Sequence, residues 1–573
     1  MKKSSNLFGT FLLAVFLLTN VYAQPTRTSQ IRPRTSDEIQ TSRPTKAVTT
    51  EKVEQDMAEA LTLIEDNHVG GKNLDYNDLF KSSIDSMLHT LDPHSNYFDA
   101  KEYEEFRINQ NSQYFGIGAI LGDLRDKDGK VIATFIKATF EGAPANRAGL
   151  RYGDKIVDVN GTSMLGKSFV EVRNFLIGPR GTNAKITVER YGTGSRDTVN
   201  IVRDAVSQPS IPEASMIRPG VGYIAMTGGF HQTTYAEFRQ AMAELKAQGM
   251  EQLVLDLRNN PGGLVSQAYQ VANTFLSRGQ KVLTQRGRIQ GAESSLAAEN
   301  NSPDKTPIVV LVNRNSASAS EILAGALQDH DRALIVGEST YGKGLVQNPF
   351  PLEYGSMLLL TIAKYETPSG RLVQRDYSDG NLYNYLTDGG SLRDDTVPEK
   401  PKGAASKTDS GRTVYSGGGI GPDETVKAET ITIEKARFQQ RLNSPIFAFT
   451  LQIAFGQIKG FESYKIDRPI SFEYNLKKTD FPVTENLFQT FKKFAAEKYN
   501  FTPAQVDRER QFVERILRTE LVTAAYGSTT SYQVFYDYDT QLKKAVELLP
   551  EARQLAIEGA KANAQKLKSE VNR

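Results

Sequence analysis

Three serines stand two residues apart in NRNSASASEILAGALQD (313–329), directly before an apolar, helix-like run. A helix N-terminus favours a nearby oxyanion, because its first N–H groups lack intrahelical acceptors and its dipole is positive there. A serine at this place is therefore a candidate nucleophile as well as a candidate cap. Ser318 and Glu321 fit the S-x-x-E capping box, whereas neither Ser316 nor Ser320 has Glu or Gln three residues on.

A serine hydroxyl needs a base near neutral pH, and histidine is the first candidate. The chain contains only His68, His89, His94, His231 and His330. His330 lies at the far end of the predicted helix, about 18 Å from Ser318 at 1.5 Å per residue, and cannot reach it. His94, in an Asp-Pro-His turn, is interpreted as structural. His231 follows a predicted strand and remains the one candidate for a Ser-His mechanism.

Lys343, in GESTYGKGLVQ (337–347), is a better candidate base, although a solvated loop lysine is the alternative. Partial burial lowers the pKa of an ammonium group and lets a lysine accept a proton. Gln347 can accept a hydrogen bond from that amine without stabilising its charge as a carboxylate would. Gly337 to Lys343 also fits a phosphate loop, but Gly344 stands where that loop needs Ser or Thr, which disfavours a nucleotide site.

The segments that must position these residues alternate between strand and helix patterns. VGYIAM, QLVLDLR, PIVVLV and ALIVGE are apolar strand-like runs, and amphipathic or apolar helix patterns separate the first three and follow the third. This alternation predicts an α/β core with much of its sheet buried, over residues 207–440. A polar, Gly-rich stretch at about 377–416 is interpreted as an insertion in it.

Residues 109–206 have a different pattern, with short β-rich runs around the helix-like FVEVRNFLI. YFGIG (114–118) followed by APANRAGLRYGDKIVDVNG resembles a PDZ domain of the circularly permuted bacterial kind. The resemblance implies that Phe115, Gly116, Ile117 and Gly118 offer backbone N–H groups to the terminal carboxylate of a peptide, which adds to the sheet as a strand.

The ends of the chain differ in composition from these regions. Lys2 and Lys3, an apolar run and Val21-Tyr22-Ala23 predict a cleaved signal peptide over residues 1–23, with export to a periplasm-like compartment and a soluble or peripheral product. Residues 24–50 are predicted to be a flexible arm, 51–108 a helical unit and 441–573 a helical extension.

The composition excludes some kinds of function. Because the chain has no Cys, thiol catalysis is excluded. Removal of Lys2 and Lys3 leaves 67 basic and 67 acidic residues, which gives no sign of a nucleic-acid surface.

NSASASEILAGALQDHDRALIVGESTYGKGLVQ closely resembles the signature of the C-terminal processing peptidases, or tail-specific proteases. The resemblance spans about residues 50–440 and includes LDPHSNYF (91–98), TPSGR (367–371) and GGIGPD (418–423). It implies a crotonase-like (ββα-type) protease core with an inserted PDZ domain. One departure is Ile177, at a position where many relatives carry a basic residue thought to help the PDZ domain sense its ligand.

The resemblance also implies roles for individual residues. Ser318 would be the nucleophile, Lys343 the base and Gln347 the orienting residue. Oxyanion donors would be the Ala319 N–H and a glycine of LDLRNNPGGL (255–264), for which we favour Gly263 and keep Gly262 open.

The resulting hypothesis is a serine endopeptidase, without cofactor or metal, that captures proteins by apolar C-terminal tails and cleaves through an acyl-enzyme. An adaptor or activator protein and an oligomeric state are left open as partners. Two rivals remain: a non-catalytic PDZ adaptor with a decayed protease core, and a Ser-His hydrolase that uses His231. Because Ser318 and Lys343 are 25 residues apart on separate elements, a resting form with a disassembled site is also open.

Overall fold

The computed structural model describes residues 49–289, 291, 293–378, 380, 385 and 403–571. The predicted signal peptide and residues 24–48 of the predicted arm lie outside this range, as does most of the 379–402 stretch. Among the described residues, no helix combines the length and apolar character needed to cross a membrane.

The first described unit is mainly helical. Asp75 and Asp99 cap its second and third helices, since their carboxylates accept from N–H groups of the first turn. A short strand, which the helical pattern did not predict, lies between these two helices. The elements are α1 (Thr50–Asn67), α2 (Tyr76–His89), β1 (Asn96–Phe98) and α3 (Ala100–Gln110).

The next region is an antiparallel sheet accompanied by two helices, one of them a single short turn. Its elements are β2 (Gln113–Gly116), β3 (Ala119–Arg125), β4 (Val131–Thr139), α4 (Pro144–Arg147), β5 (Lys155–Val159), β6 (Thr162–Ser163), α5 (Phe169–Leu176), β7 (Asn183–Glu189), β8 (Arg196–Val202) and β9 (Asp204–Ser207). The main strand order is β3-β4-β5-β7-β8, with β6 paired to β5, and β2 pairs separately with β9. Strand β3 is therefore an edge strand.

The central region carries two main sheets and a small two-stranded one, in which β19 pairs with β20. Its elements are β10 (Glu213–Arg218), β11 (Val221–Ala225), α6 (Thr234–Ala247), β12 (Gln252–Asp256), α7 (Val265–Phe275), β13 (Lys281–Gly287), β14 (Ser294–Ala297), β15 (Ile308–Val312), α8 (Ala319–Asp329), β16 (Ala333–Gly337), β17 (Leu345–Pro351), β18 (Met357–Glu366), β19 (Ala405–Lys407), β20 (Thr413–Tyr415) and β21 (Glu424–Thr425).

The larger of the two sheets has the order β10-β11-β12-β15-β16-β21 and is parallel from β11 onward. Strands β11, β15 and β16 are buried at every residue, as the continuous apolar runs predicted. The second sheet is antiparallel, with the order β1-β18-β13-β14 and β17 on β18. The strand β1 thus joins the first helical unit to the central region.

The C-terminal region is helical, as its pattern predicted. Its elements are α9 (Ile433–Ala454), α10 (Glu485–Tyr499), α11 (Pro503–Arg508), α12 (Arg510–Ser531), α13 (Thr540–Glu547) and α14 (Leu549–Val571). We call this region the extension.

The extension packs on both preceding regions. The Phe447 ring of α9 contacts Phe135 and Tyr152 edge-on, with centroids 5.6 and 5.9 Å away. Lys137 of β4 lies over the same ring and forms an ion pair with Glu520 of α12. On the other side, apolar residues of α13 and α14 cover one face of the parallel sheet. The extension thus holds the PDZ-like region and the central region together.

Candidate active site

Ser318 lies where β15 gives way to α8. The strand and the whole helix are buried, so the loop between them has little freedom. Ser318 has φ 54° and ψ −113°, a conformation that a residue with a Cβ rarely adopts. Such strain costs about 1–3 kcal/mol and is typical of functional sites.

The Glu321 carboxylate connects the Ser318 loop to the Lys343 loop. It is fully buried and accepts from the Ser318 N–H at 2.8 Å, which is one half of the predicted capping box. It also accepts from the Thr340 hydroxyl and from the N–H groups of Gly342 and Lys343 at 2.6 and 2.8 Å. Burial raises the pKa of Glu321, and these donors oppose the rise. Glu321 therefore fixes the distance between the two loops.

Tyr365 of β18 makes a second connection between the same loops. Its hydroxyl lies 3.0 Å from the Ser318 carbonyl oxygen and 2.9 Å from that of Lys343. The side chain is 1% exposed, so water does not compete for these acceptors. This residue was not predicted from the sequence, because a tyrosine in an apolar strand pattern gives no signal of its own.

The Lys343 side chain points at Gln347. Its Nζ donates to Gln347 Oε1 at 2.7 Å, and the Gln347 amide in turn donates to the carbonyl oxygen of His94. Burial lowers the pKa of Lys343 to about 8, and the charges of Asp92 and Glu321 only partly offset it. A substantial share of this lysine is neutral near physiological pH, which is the form a base must have.

The wall behind Gln347 comes from the LDPHSNYF segment. Asp92 shapes it by accepting from the N–H groups of His94 and Ser95, both at 2.8 Å. The His94 ring contacts the Tyr385 hydroxyl at 2.7 Å. Burial, followed by the nearby charges of Lys343 and Arg375, lowers the pKa of His94 to about 3. His94 is thus neutral and supports the site through its backbone.

The turn after β12 is bonded directly to the serine loop. Asn260 accepts from the Ala317 N–H at 2.9 Å and from the Ser320 hydroxyl at 3.1 Å through its carbonyl oxygen. The Ser316 hydroxyl donates to the Leu257 carbonyl oxygen at 2.8 Å. Of the three serines, Ser316 and Ser320 are therefore used in anchoring this turn.

Both candidate oxyanion glycines sit in places that admit no side chain. A Cβ on Gly262 would lie 2.7 Å from the Ser318 Cβ and 2.9 Å from the Ala319 nitrogen, and one on Gly263 would lie 2.2 Å from the Phe230 oxygen. The Gly262 N–H already donates to Asn260 Oδ1 at 2.9 Å. That bond favours Gly263 as the donor facing a substrate, with Ala319 in the first turn of α8 as the second.

The two histidines considered as bases have other partners. The His231 Nε2 lies 2.8 Å from the Gly228 carbonyl oxygen, and burial lowers the pKa of this ring. His330 caps the far end of α8 and contacts Asp409 and the Lys281 carbonyl oxygen at 2.6 and 2.7 Å.

The predicted carboxylate loop consists of the last two residues of β2 and the two residues that precede β3. Phe115 and Gly116 pair with β9, and Gly118 has φ 75°. The carbonyl oxygens of Ile117 and Gly118 accept from Ala145 and Phe140 N–H groups at 2.7 and 3.1 Å. The loop thus turns carbonyl groups toward the protein body.

A seryl hydroxyl, a lysine of lowered pKa and amides at a helix N-terminus are the parts that acyl transfer requires. Within the described part of the chain, no group of three or more His, Asp or Glu side chains is placed to hold a metal ion.

Family comparisons identify two regions of this chain. Residues 220–379 match peptidase family S41, and residues 135–190 match a PDZ domain. The sequence is 36% identical over 301 residues to the carboxy-terminal-processing protease of Bartonella bacilliformis, which covers 52% of this chain and 67% of that protein. It is 34% identical over 298 residues to the carboxy-terminal processing protease CtpA of Bacillus subtilis, covering 52% of this chain and 62% of that protein.

A solved structure named photosystem II D1 C-terminal processing protease is also similar. Its sequence is 28% identical, and the match covers 67% of this chain and 95% of that one with a TM-score of 0.34.

Proposed function

The chain belongs to the family of carboxy-terminal-processing proteases, and from this premise we propose that Ser318 is the nucleophile, Lys343 the general base and Gln347 the residue that orients the base. The enzyme is a serine endopeptidase. Its PDZ domain binds peptides, and we infer that it receives the C-terminal tail of the substrate.

The observation that carries the proposal is the state of Lys343. A buried amine with a pKa of about 8, held by a neutral amide at 2.7 Å, is available as a proton acceptor. Glu321 and Tyr365 bond to the backbones of both Lys343 and Ser318, which holds the two loops together and supports the pairing of these residues.

In the proposed reaction, the neutral Lys343 amine takes the Ser318 hydroxyl proton as the oxygen attacks the scissile carbonyl. The tetrahedral oxyanion accepts hydrogen bonds from the Ala319 and Gly263 N–H groups. The ammonium then gives its proton to the leaving amine as the C–N bond breaks, which leaves an acyl-enzyme on Ser318. Water then attacks this ester as Lys343 takes its proton, and the ammonium returns that proton to the Ser318 oxygen as the acyl C–O bond breaks, which restores the free serine and the neutral amine.

Tail capture is proposed for the loop that contains Phe115, Gly116, Ile117 and Gly118. A peptide carboxylate bound there would let the preceding residues pair with the free edge of β3. Leu121 of β3 and Phe175 of α5 are partly buried apolar residues of this region, which supports a preference for apolar tails.

We also propose that the protein is exported to a periplasm-like compartment and acts there on proteins with accessible tails. The proposal rests on Lys2, Lys3, the apolar run and the Ala23 site of the first residues. N-terminal sequencing of the exported protein tests it, and the expected first residue is Gln24.

Covalent labelling of the nucleophilic serine tests the proposed roles. A fluorophosphonate probe should modify Ser318, as located by peptide mass spectrometry, and a Lys343→Ala variant should react far more slowly. Modification of another serine, or equal labelling of the Lys343→Ala variant, would refute the assignment. A protein that binds an apolar tail peptide, takes no probe and cleaves nothing would instead support the decayed adaptor.

A further inference from the structure

The segment that follows β18 lies against the loop of the proposed base. The Arg375 N–H donates to the Gly342 carbonyl oxygen at 3.0 Å. Gln374 Oε1 accepts from the Gly344 N–H at 2.8 Å, and a Cβ on Gly344 would lie 2.5 Å from the Gln374 nitrogen. Gly342 and Gly344 flank Lys343 in the chain, so two consecutive residues of this segment hold the backbone on both sides of the base.

The Arg375 side chain lies between two tyrosine rings. Its guanidinium carbon is 3.9 Å from the centroid of the Tyr341 ring and 4.2 Å from that of the Tyr385 ring. Both distances are well inside the ~6 Å over which a cation is attracted to an aromatic face. Tyr341 stands two residues before Lys343, and Tyr385 belongs to the predicted polar insertion. The cation thus joins the base loop to the insertion.

The guanidinium has no hydrogen-bonding role of its own. Its three nitrogens are buried, and none has a hydrogen-bond partner within the part of the chain that the structure describes. A buried charge without a polar partner is unfavourable, and the two ring faces offset this cost only in part. Because the nitrogens are enclosed, they do not face a substrate. Arg375 therefore acts through the rings that it contacts.

Tyr385 connects these contacts to the orienting residue. Its hydroxyl lies 2.7 Å from His94 Nε2 and accepts from Gln374 Nε2 at 3.0 Å. The His94 carbonyl oxygen in turn accepts from the Gln347 amide. Tyr385 is 5% exposed, so water does not compete for its hydroxyl. One tyrosine of the insertion thus links the support of Lys343 to the support of Gln347.

We propose that Arg375 is a positioning residue that keeps Lys343 and Gln347 within bonding distance of each other. Together with Tyr341 and Tyr385 it forms what we call the arginine clamp. The inference rests on the proposed function and adds to it a role for the start of the insertion. The clamp acts on the base through the base loop, and on the orienting residue through the LDPHSNYF segment.

Steady-state kinetics on a short ester tests the clamp. Arg375→Met keeps most of the length of the side chain and removes the planar cation. It should lower kcat about tenfold and leave KM and affinity for the tail peptide unchanged. Arg239→Met is the matched control, because Arg239 is exposed and its guanidinium carbon lies 5.9 Å from the centroid of the Tyr235 ring. Equal loss in both variants, or a change in KM alone, would contradict the proposal.

The pH profile separates positioning from a general loss of stability. Burial is the main cause of the lowered pKa of Lys343, and a loosened wall admits water. The inflection of kcat/KM in the Arg375→Met protein should therefore lie above the value of about 8 expected for wild type. A lower kcat with an unchanged inflection would mean that the base keeps its surroundings, and it would overturn the clamp.

Tyr385→Phe tests the branch of the clamp that leads to the orienting residue. The substitution keeps the ring that faces Arg375 and removes the hydroxyl that contacts His94 and Gln374. It should lower kcat about threefold or more. The variant that combines both substitutions should lose less than the product of the two single losses, because both act through one set of contacts. Tyr415→Phe is the control, since Tyr415 lies in the same insertion and is 44% exposed. Fully multiplicative losses would contradict a shared clamp.

The crystal structure of the Arg375→Met protein tests the clamp without relying on catalysis. The distance from Lys343 Nζ to Gln347 Oε1, 2.7 Å with the clamp intact, should exceed hydrogen-bond length while α8 and the parallel sheet keep their positions. An unchanged distance would overturn the clamp and leave the protease assignment intact. A wild-type protein that takes no fluorophosphonate and cleaves no ester would refute the proposed function, and this distance would then decide the clamp by itself.

Discussion

Lys343 carries a cationic group in surroundings that disfavour its charge. Burial is the main cause of the lowered pKa, and the partner at 2.7 Å is a neutral amide. A carboxylate at the same place would stabilise the ammonium and remove its basicity. A neutral side chain at Gln347 therefore supports the proposed role of Lys343 as a base.

The pH dependence of kcat/KM should follow the neutral fraction of Lys343. Activity is low when the amine is protonated, rises as pH passes through about 8 and levels off above it. Gln347→Glu should move this inflection upward by about one unit or more, because the added negative charge favours the ammonium. An unchanged inflection in the Gln347→Glu protein would show that another group sets the profile.

Tyr365→Phe should lower kcat roughly five- to tenfold with little change in KM. The substitution keeps the ring and removes the hydroxyl that bonds to the Ser318 and Lys343 carbonyl groups. Steady-state kinetics on a short ester measures it, with Tyr354→Phe as control because Tyr354 is 89% exposed. If KM alone changed, Tyr365 would act in substrate binding and not in positioning.

At the scale of elements, the extension reaches the start of the turn after β12, which contains the candidate oxyanion glycines. The Arg258 guanidinium bonds to both Asp256 oxygens and, through its two terminal nitrogens, to Asp539 at 3.1 and 2.6 Å. Gln541 accepts from the same guanidinium at 2.9 Å. Arg258 directly precedes Asn259 and Asn260, so a residue 281 positions away helps to hold the turn that faces Ser318.

Asp539→Asn should lower kcat on the short ester roughly five- to tenfold and leave tail-peptide affinity unchanged. The loss of charge weakens the anchor of Arg258, while the PDZ contacts of the extension remain. Glu520→Gln is the matched control, because Glu520 contacts Lys137 and Tyr152 and not the turn. Equal loss in both variants would mean that the extension acts only through general stability.

The sequence predicts some of these elements better than others. The apolar runs at 308–312 and 333–337 predicted two of the buried parallel strands. The S-x-x-E spacing predicted that Ser318 lies at the start of α8. Strand β1 was not predicted, because three residues that pair with the distant β18 carry no local pattern. The roles of Ser318, Lys343 and Gln347 came from spacing and family resemblance and stay predictions.

Contacts between distant residues explain what the sequence did not reveal. Glu321 was interpreted as a capping partner, whereas it also accepts from Thr340, Gly342 and Lys343. Tyr365 and Asp539 gave no signal, since each acts through residues far away in the chain. Periodicity and motifs describe neighbours along the chain, and these contacts depend on tertiary packing.

At the scale of the whole molecule, the extension restrains the PDZ domain. A Cβ on Gly153 would lie 2.8 Å from the ring of Phe455, the residue that caps the C-terminal end of α9, so the two surfaces are in close contact. Tyr191 packs on the same ring with centroids 5.2 Å apart. In the protease core, Lys343 is bonded to Gln347, and Glu321 joins the backbones of Ser318 and Lys343. We therefore favour a preassembled site over the resting, disassembled form.

Adding an apolar tail peptide in trans should leave the rate of short-ester cleavage unchanged. A preassembled site needs no ligand to complete it, and the PDZ domain then contributes by raising the local concentration of tailed substrates. Ester hydrolysis with increasing peptide measures this. Acceleration that saturates at the affinity of the PDZ domain would show ligand gating instead.

The most direct test of the Ser-Lys assignment is cleavage of an unfolded reporter with an apolar C-terminus by wild type and three variants. Ser318→Ala and Lys343→Ala should each lose about 10⁴-fold or more in kcat, while His231→Ala should retain activity and all four proteins should bind the tail peptide alike. Loss of activity in His231→Ala with retention in Lys343→Ala would contradict the account and establish a Ser-His hydrolase.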